Sequence, residues 1–221
     1  MHNITLISTI HNETGKCNSD ELHKIIETIC PGVIFLEAFE SCYTGYDHSQ
    51  FSQFGTYHKR LEIKAIQKYS LNHSFEYIPV LDNGLPDAFE RKNKIVCENR
   101  EYQKLLDDCV SLESERGFQF LNSEECLQLQ KEMREFEKLI LNNNELYQKV
   151  DQEIDAYENA MIRNIYAYSK DNSFSTAIFM CGVAHRKSII DKIERHEIQE
   201  GVKLNWTFYG NCYNNRNGMT C

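Results

Sequence analysis

Five short apolar segments, each bounded by polar or turn-forming residues, predict β-strands at 4–10, 33–36, 75–81, 175–181 and 203–209. The first two are nearly continuous in hydrophobicity, which is typical of strands buried on both faces of a parallel sheet. Between the first three strands, apolar residues recur every three or four positions over 19–29 and 61–69, which predicts two helices. Strand and helix therefore alternate through residues 1–85, and this order predicts a parallel sheet with right-handed crossovers.

A longer helical pattern separates the third strand from the fourth. One apolar stripe at helical spacing runs from Leu129 to Ile140, and a second runs from Leu146 to Tyr168. Residues 142–144 separate the stripes as a turn, so we expect an antiparallel helical hairpin whose stripes serve packing. The sequence thus predicts an α/β fold with an open, mostly parallel, doubly wound sheet. Residues 1–89 and 160–221 form its core, and residues 90–159 are inserted as a helical cap.

The charge balance narrows the classes of partner. Acidic residues number 33 and basic residues 24, for a formal net charge of -9. This balance argues against binding to a nucleic-acid backbone or an anionic membrane surface, because both need clustered Lys and Arg. No segment approaches the roughly 18 apolar residues of a membrane span, and the first residues lack the basic stretch of a signal peptide. We therefore expect a cytoplasmic protein with no membrane span and no nucleic-acid partner.

Nine cysteines are scattered along the chain, and no two of them form a Cys-x-x-Cys pair. Several lie in apolar segments, where a free thiol packs as a small hydrophobic group. The simplest interpretation is a reducing compartment with buried thiols. The alternative is a metal or redox role for Cys212 and Cys221.

Polar residues follow four of the predicted strands, at the edge where open parallel sheets bind ligands. His11 follows the first strand, Glu37 the second with Glu40 behind it, Asp82 the third and His185 the fourth. Imidazole and carboxylate groups suit a divalent Mn, Co, Zn or Fe ion, which activates a bound water while a spare carboxylate acts as general base. The structural alternative is that each histidine stabilises a loop and each carboxylate caps the next helix. No phosphate-binding loop, dinucleotide glycine motif or serine-hydrolase elbow occurs.

Six short motifs occur in a characteristic order along most of the chain. They are Ser8-Thr9-Ile10-His11, Ile34-Phe35-Leu36-Glu37, the segment 61–66 with Glu62, Pro79-Val80-Leu81-Asp82, Arg163-Asn164 and Cys181-Gly182-Val183-Ala184-His185. In this order they resemble the TraB/Tiki superfamily of metal-dependent hydrolases, which includes the PrgY, GumN, ChaN and erythromycin-esterase branches. Two positions depart from its pattern: Ser8 stands where the family has glycine, and no arginine follows Asp82.

The resemblance implies roles for individual residues. His11 and His185 would be metal ligands, Glu37 a third ligand or the base, and Glu62 a further ligand or base. Arg163 would stabilise an oxyanion or bind an anionic substrate group, or alternatively hold the site through an ion pair with Glu62 or Glu37.

Asp82 completes the implied catalytic set. The expected reaction is hydrolysis of an amide or ester bond by metal-activated water, in a peptide or a small ester or amide, beneath the helical cap. Two non-catalytic alternatives belong to the same superfamily. One is a module that binds heme or a metal, and the other is a module that sequesters a peptide.

Overall fold

A computed structural model describes residues 2–39, 60–82, 84, 87–142 and 145–210. Its strands are β1 (His2–Thr9), β2 (Val33–Phe39), β3 (Glu76–Leu81), β4 (Thr176–Gly182) and β5 (Leu204–Phe208). They form one sheet in the order β3-β2-β4-β1-β5, and all neighbouring strands are parallel. The predicted α/β class and the five predicted strands are confirmed.

The described residues also form eight α-helices and one 3₁₀ turn, Val183–His185. The helices are α1 (Ser19–Ile29), α2 (Leu61–Ser70), α3 (Asp87–Cys97), α4 (Arg100–Arg116), α5 (Phe118–Leu121), α6 (Glu124–Ile140), α7 (Glu145–Asp171) and α8 (Arg186–Glu200). None of these helices combines the length and the hydrophobicity needed to cross a membrane.

Helices cover both faces of the sheet because successive strand side chains point to opposite faces. Ile7 and Ile178 belong to the cluster that packs against α1, α2 and α5. Their neighbours Leu6 and Phe179 belong to the cluster that packs against α7 and α8. Since both faces are buried, the central strands β2 and β4 are apolar at nearly every position, and the sheet is doubly wound as the sequence predicted.

The inserted helices α3 to α7 are joined to the core by packing on the sheet. Met133 and Leu141 belong to a small apolar cluster formed among the inserted helices, whereas Phe120 of α5 packs in a sheet cluster. Helix α7 has 27 residues and crosses the predicted core boundary at 159–160 without a break. Its later turns, with Ile165, pack on the sheet.

The carboxyl end of β1 is held by a side chain where its edge neighbour ends. Strand β5 pairs with β1 only as far as Leu6. Beyond that point Asn122 takes the place of a strand: its Oδ1 accepts from the Ser8 N–H at 2.8 Å, and its Nδ2 donates to the Ser8 carbonyl at 3.2 Å. The fully buried Arg186 donates to the same Oδ1 at 2.8 Å. These bonds satisfy buried polar groups and fix the point at which the chain leaves β1.

Some sequence expectations fall on residues outside the described ranges, namely Glu40, Cys212, Cys221 and part of the 142–144 turn. The cysteines within those ranges are free thiols. Four of them are buried: Cys17, Cys109, Cys126 and Cys181.

Candidate functional site

Three neighbouring strands of the sheet, β2, β4 and β1, deliver polar side chains to the same edge. His11 follows β1, and His185 follows β4 at the end of the 3₁₀ turn. Glu37 lies inside β2, not after it, because β2 extends to Phe39. The β2–β3 register shifts between Leu36 and Phe39, so this segment departs from regular pairing where the carboxylate emerges.

Glu62 and His11 form the first pair at this edge. The Nδ1 atom of His11 lies 3.2 Å from Oε1 of Glu62, and Thr9 Oγ1 donates to the same oxygen at 2.7 Å. Glu62 lies in the first turn of α2, where the helix dipole favours a negative charge. Its hydrogen bond to His11 raises the pKa of the imidazole, and burial opposes that effect.

The second carboxylate oxygen of Glu62 has no hydrogen-bond partner among the described residues. This Oε2 atom is buried, and the glutamate as a whole is 3% exposed. A buried polar atom without a partner costs about 1–3 kcal/mol. Such a carboxylate oxygen, at the edge where open parallel sheets commonly bind ligands, is able to accept a proton or a cation.

Glu37 and His185 form the second group. Glu37 Oε2 accepts from the Gly182 N–H at 2.6 Å, and its Oε1 accepts from the Tyr157 hydroxyl at 2.7 Å. Burial and the adjacent charge of Glu37 raise the pKa of Tyr157 far above its usual range, so this hydroxyl stays a donor. The Nε2 atom of His185 lies 3.6 Å from Glu37 Oε1, beyond normal hydrogen-bond distance.

The opposite nitrogen of His185 is held by a residue that the sequence did not reveal. His185 Nδ1 lies 2.9 Å from Oε1 of Glu158, a buried carboxylate on α7. Lys192 donates to Glu158 Oε2 at 2.9 Å, and Ser188 donates to the same oxygen. Burial opposes ionisation of Glu158, but the bonds from His185, Ser188 and Lys192 outweigh it and lower its pKa.

Asp82 and Arg163 pair with each other, in a third group at the end of β3. Arg163 donates to the Asp82 carboxylate, and Asn164 Nδ2 donates to Asp82 Oδ1 at 2.8 Å. Both members of the ion pair are exposed, at 53% for the arginine and 42% for the aspartate. The sequence left open that Arg163 forms an ion pair with Glu62 or Glu37. In the structure its ion-pair partner is Asp82 instead.

Sequence reasoning missed Tyr157 and Glu158, although both touch the predicted site. Tyr157 lies in the apolar stripe of α7, whose period predicts packing only. Glu158 has the appearance of any polar helix position, because burial of one glutamate leaves no mark on hydrophobic periodicity. Its helical neighbourhood gives no signal that would separate it from exposed glutamates such as Glu145.

The arrangement of the histidines and carboxylates bears on whether they could hold a metal ion. Within the described ranges, no three His, Cys, Asp or Glu side chains are arranged to hold one. Oε1 of Glu37 and Nε2 of His185 lie 3.6 Å apart. Zinc–ligand bonds of about 2.1 Å at tetrahedral angles place two ligand atoms roughly 3.4 Å apart, close to the 3.6 Å seen for this pair. The distance between these two atoms is compatible with their binding one ion, and the described residues bring no third His, Cys, Asp or Glu side chain into such a group.

A cavity of about 320 Å³ adjoins His185 on the side of the inserted helices. We call it the cap cavity; residues of α3, α4, α6, α7 and the 3₁₀ turn line it. Its walls include Tyr102 and Tyr147.

No family model, no curated protein and no solved structure matches this chain. The resemblance to the TraB/Tiki superfamily accordingly rests on the six motifs and their order.

Proposed function

We propose that this protein is a metal-dependent hydrolase that cleaves an amide or ester bond in a peptide or a small ester or amide, as the TraB/Tiki resemblance implies. One observation carries the proposal: both site histidines present Nδ1 to a buried glutamate. His11 faces Glu62 and His185 faces Glu158. Carboxylates only accept hydrogen bonds, so Nδ1 of each ring is the protonated nitrogen and Nε2 is the acceptor. Metal-binding histidines are held by carboxylates in this way.

The proposed ligands of a divalent Mn, Co, Zn or Fe ion are His185, Glu37 and His11, of which the structure brings His185 and Glu37 within ligand spacing of each other. The first two supply ligand atoms that already face each other, and the resemblance adds the third. When bound, such an ion lowers the pKa of a coordinated water and polarises a carbonyl.

The remaining site residues have roles of their own. The Tyr157 hydroxyl and the Gly182 N–H orient Glu37. Glu62 is the proposed general base, because its Oε2 atom is buried and has no partner within the part of the chain that the structure describes. Thr9 and His11 both bond Oε1, so they hold the carboxylate in one rotamer and leave the other oxygen for the attacking water.

Metal binding tests the proposal most directly. Isothermal titration of chelator-treated protein with Mn²⁺, Co²⁺, Zn²⁺ and anaerobic Fe²⁺ should give one site for at least one ion. That site should be lost in His11→Ala and in His185→Ala. His23→Ala is the matched control, because His23 contacts Glu27 within α1 and lies outside the site. Full stoichiometric binding by either site variant, or none by the wild type, would reject the metal site.

The second candidate function is heme binding without catalysis, which the tyrosines of the cap cavity favour. His185 would be the residue to hold the heme iron, but its Nδ1 is engaged by Glu158 and its Nε2 lies near Glu37, which favours a divalent ion shared with the carboxylate over heme. Titration with hemin separates the two functions. A stoichiometric Soret shift that is lost in His185→Ala would favour heme.

A further inference from the structure

The cap cavity is lined mainly by apolar and aromatic side chains. The proposed hydrolytic reaction assigns it no role. Its lining includes Phe89, Leu106, Met133, Tyr147 and Val150. A volume of about 320 Å³ lies at the lower end of the range for small-molecule sites. At about 30 Å³ for each water-sized group, it has room for roughly ten such groups.

The formal charges in the cavity wall sum to zero, with Lys92 and Arg134 against Glu137 and Asp151. Lys92 donates to Glu137 Oε2 at 2.8 Å, and the Tyr102 hydroxyl donates to Glu137 Oε1 at 2.7 Å. The Lys92 ammonium also lies 4.9 Å from the centre of the Phe89 ring. A charged ligand entering here would lose hydration without meeting a net opposite charge in the wall, whereas an apolar group has no such hydration to lose. The wall therefore favours an apolar occupant.

The cavity is continuous with the proposed site. Val183, Ala184 and His185 belong both to the cavity wall and to the turn that presents the imidazole. Arg134 of α6, another wall residue, donates to the Ala184 carbonyl and ties the inserted helices to that turn. A substrate whose scissile bond lies at His185 can therefore extend an adjacent group into the cavity.

We propose that the cap cavity is the specificity subsite of this hydrolase and takes an apolar group next to the scissile bond, such as a medium-length acyl chain or an apolar side chain. This inference rests on the proposed function, since it assigns the substrate class of the same site. It commits to an uncharged occupant of about six to eight carbon atoms, which the roughly ten water-sized positions accommodate.

A chain-length series tests the subsite. The metal-loaded protein is assayed with 4-nitrophenyl acetate, butyrate, hexanoate and octanoate. We expect kcat/KM to rise by about two- to fourfold for each methylene that enters the cavity, the factor that burial of a methylene gives. A profile that is flat or falls from acetate to octanoate overturns the inference.

Two adjacent leucines of α4 provide a matched pair of variants. Leu106 lines the cavity, whereas Leu105 packs in the same apolar cluster without lining it. Leu106→Trp should abolish the preference for octanoate over acetate, and Leu105→Trp should keep it. Equal loss in both variants, or in neither, contradicts the assignment. Leu106→Phe serves if the tryptophan variant does not fold, as judged by circular dichroism.

A binding measurement separates failure of the subsite from failure of the hydrolase. If no ester is cleaved, N-phenyl-1-naphthylamine, a neutral apolar fluorophore, is titrated into the wild type and both tryptophan variants. Saturable binding that is lost only in Leu106→Trp supports the apolar site. The absence of ester turnover then counts against the hydrolase proposal and not against the subsite. Absence of saturable binding, or equal binding by all three proteins, rejects the subsite. Turnover of all four esters at one rate rejects the subsite and keeps the hydrolase.

Discussion

The Nδ1 atom of His185 lies 2.9 Å from Oε1 of Glu158, a side chain that is only 2% exposed. Lys192 donates to the other oxygen of that carboxylate. Its Nζ atom also lies 2.8 Å from Oδ1 of Asp155, which is at the surface. The imidazole is thus the inner end of a chain of polar groups that begins in solvent. Because Glu158 only accepts, this chain fixes the ring orientation and the tautomer that leaves Nε2 toward Glu37.

Glu158→Gln should weaken metal affinity by about 10- to 100-fold, the usual effect of removing a carboxylate that orients a ligating histidine. The amide still fills the same volume but carries no charge and offers one acceptor. Competition titration against a chromogenic chelator measures the change. Asp155→Asn is the control, because Asp155 pairs with Lys192 and does not touch His185; equal affinities of the two variants would contradict the role of Glu158.

Glu62→Gln should leave the metal bound and lower kcat by about 10²- to 10⁴-fold, the contribution typical of a general base. Its amide nitrogen cannot take a proton from water. Steady-state hydrolysis and metal stoichiometry are measured on the same preparation. Glu13→Gln is the control variant, because Glu13 forms an ion pair with Lys64, a residue on the same helix as Glu62. Unchanged kcat in Glu62→Gln would remove this residue from the mechanism.

Arg163→Ala should change kcat/KM by less than about tenfold. An oxyanion donor would cost about 10²–10³ on removal, but Arg163 is committed to Asp82 and both are exposed. The expected loss of stability is no more than about 1 kcal/mol, as for most exposed ion pairs. Urea unfolding and hydrolysis assays measure the two effects. A loss of 10² or more with substrate binding unchanged would restore the oxyanion role.

The stability of the metal-free protein should depend on pH through His11. Its pKa lies above 6.5 in the folded state because of the hydrogen bond to Glu62. Folded protein therefore binds the proton more tightly than unfolded protein, and the stabilisation is complete below pH 6.5. It is lost as the pH rises from 6.5 through the folded-state pKa.

His11→Asn should abolish that part of the pH dependence, and His23→Asn should retain it. Urea midpoints at pH 5.5 to 9 provide the comparison, with the difference between variants cancelling the other titrating groups. If the wild type and His11→Asn show parallel profiles, the imidazole is not stabilised by Glu62.

The hydrophobic pattern by itself determined the α/β class, the five strands and the edge at which His11, Glu37 and His185 lie. Strands buried on both faces must be apolar at almost every position, so they stand out from helices and loops. Parallel strands end at one edge, so residues that follow them are neighbours however far apart they lie in the chain. Each strand, and the polar residue at or after its end, can therefore be recognised from a short stretch of sequence.

Only the tertiary structure decided the strand order and the partners of the site residues. Strand β4 lies between β1 and β2, which no local pattern specifies. The pairings of Glu62 with His11, Glu158 with His185 and Asp82 with Arg163 join residues 51, 27 and 81 positions apart.

Each of these glutamates has the same local sequence character as a solvated helix residue. The packing of α2 and α7 against the sheet is what buries the two carboxylates that meet the histidines. Burial makes the hydrogen-bond partners of these carboxylates important for stability, because a buried carboxylate must be paired while an exposed one need not be. The sequence could therefore indicate which histidines lie at the edge, and the motif resemblance singled out Glu62. The fold alone selected Glu158 and decided which carboxylate meets which histidine.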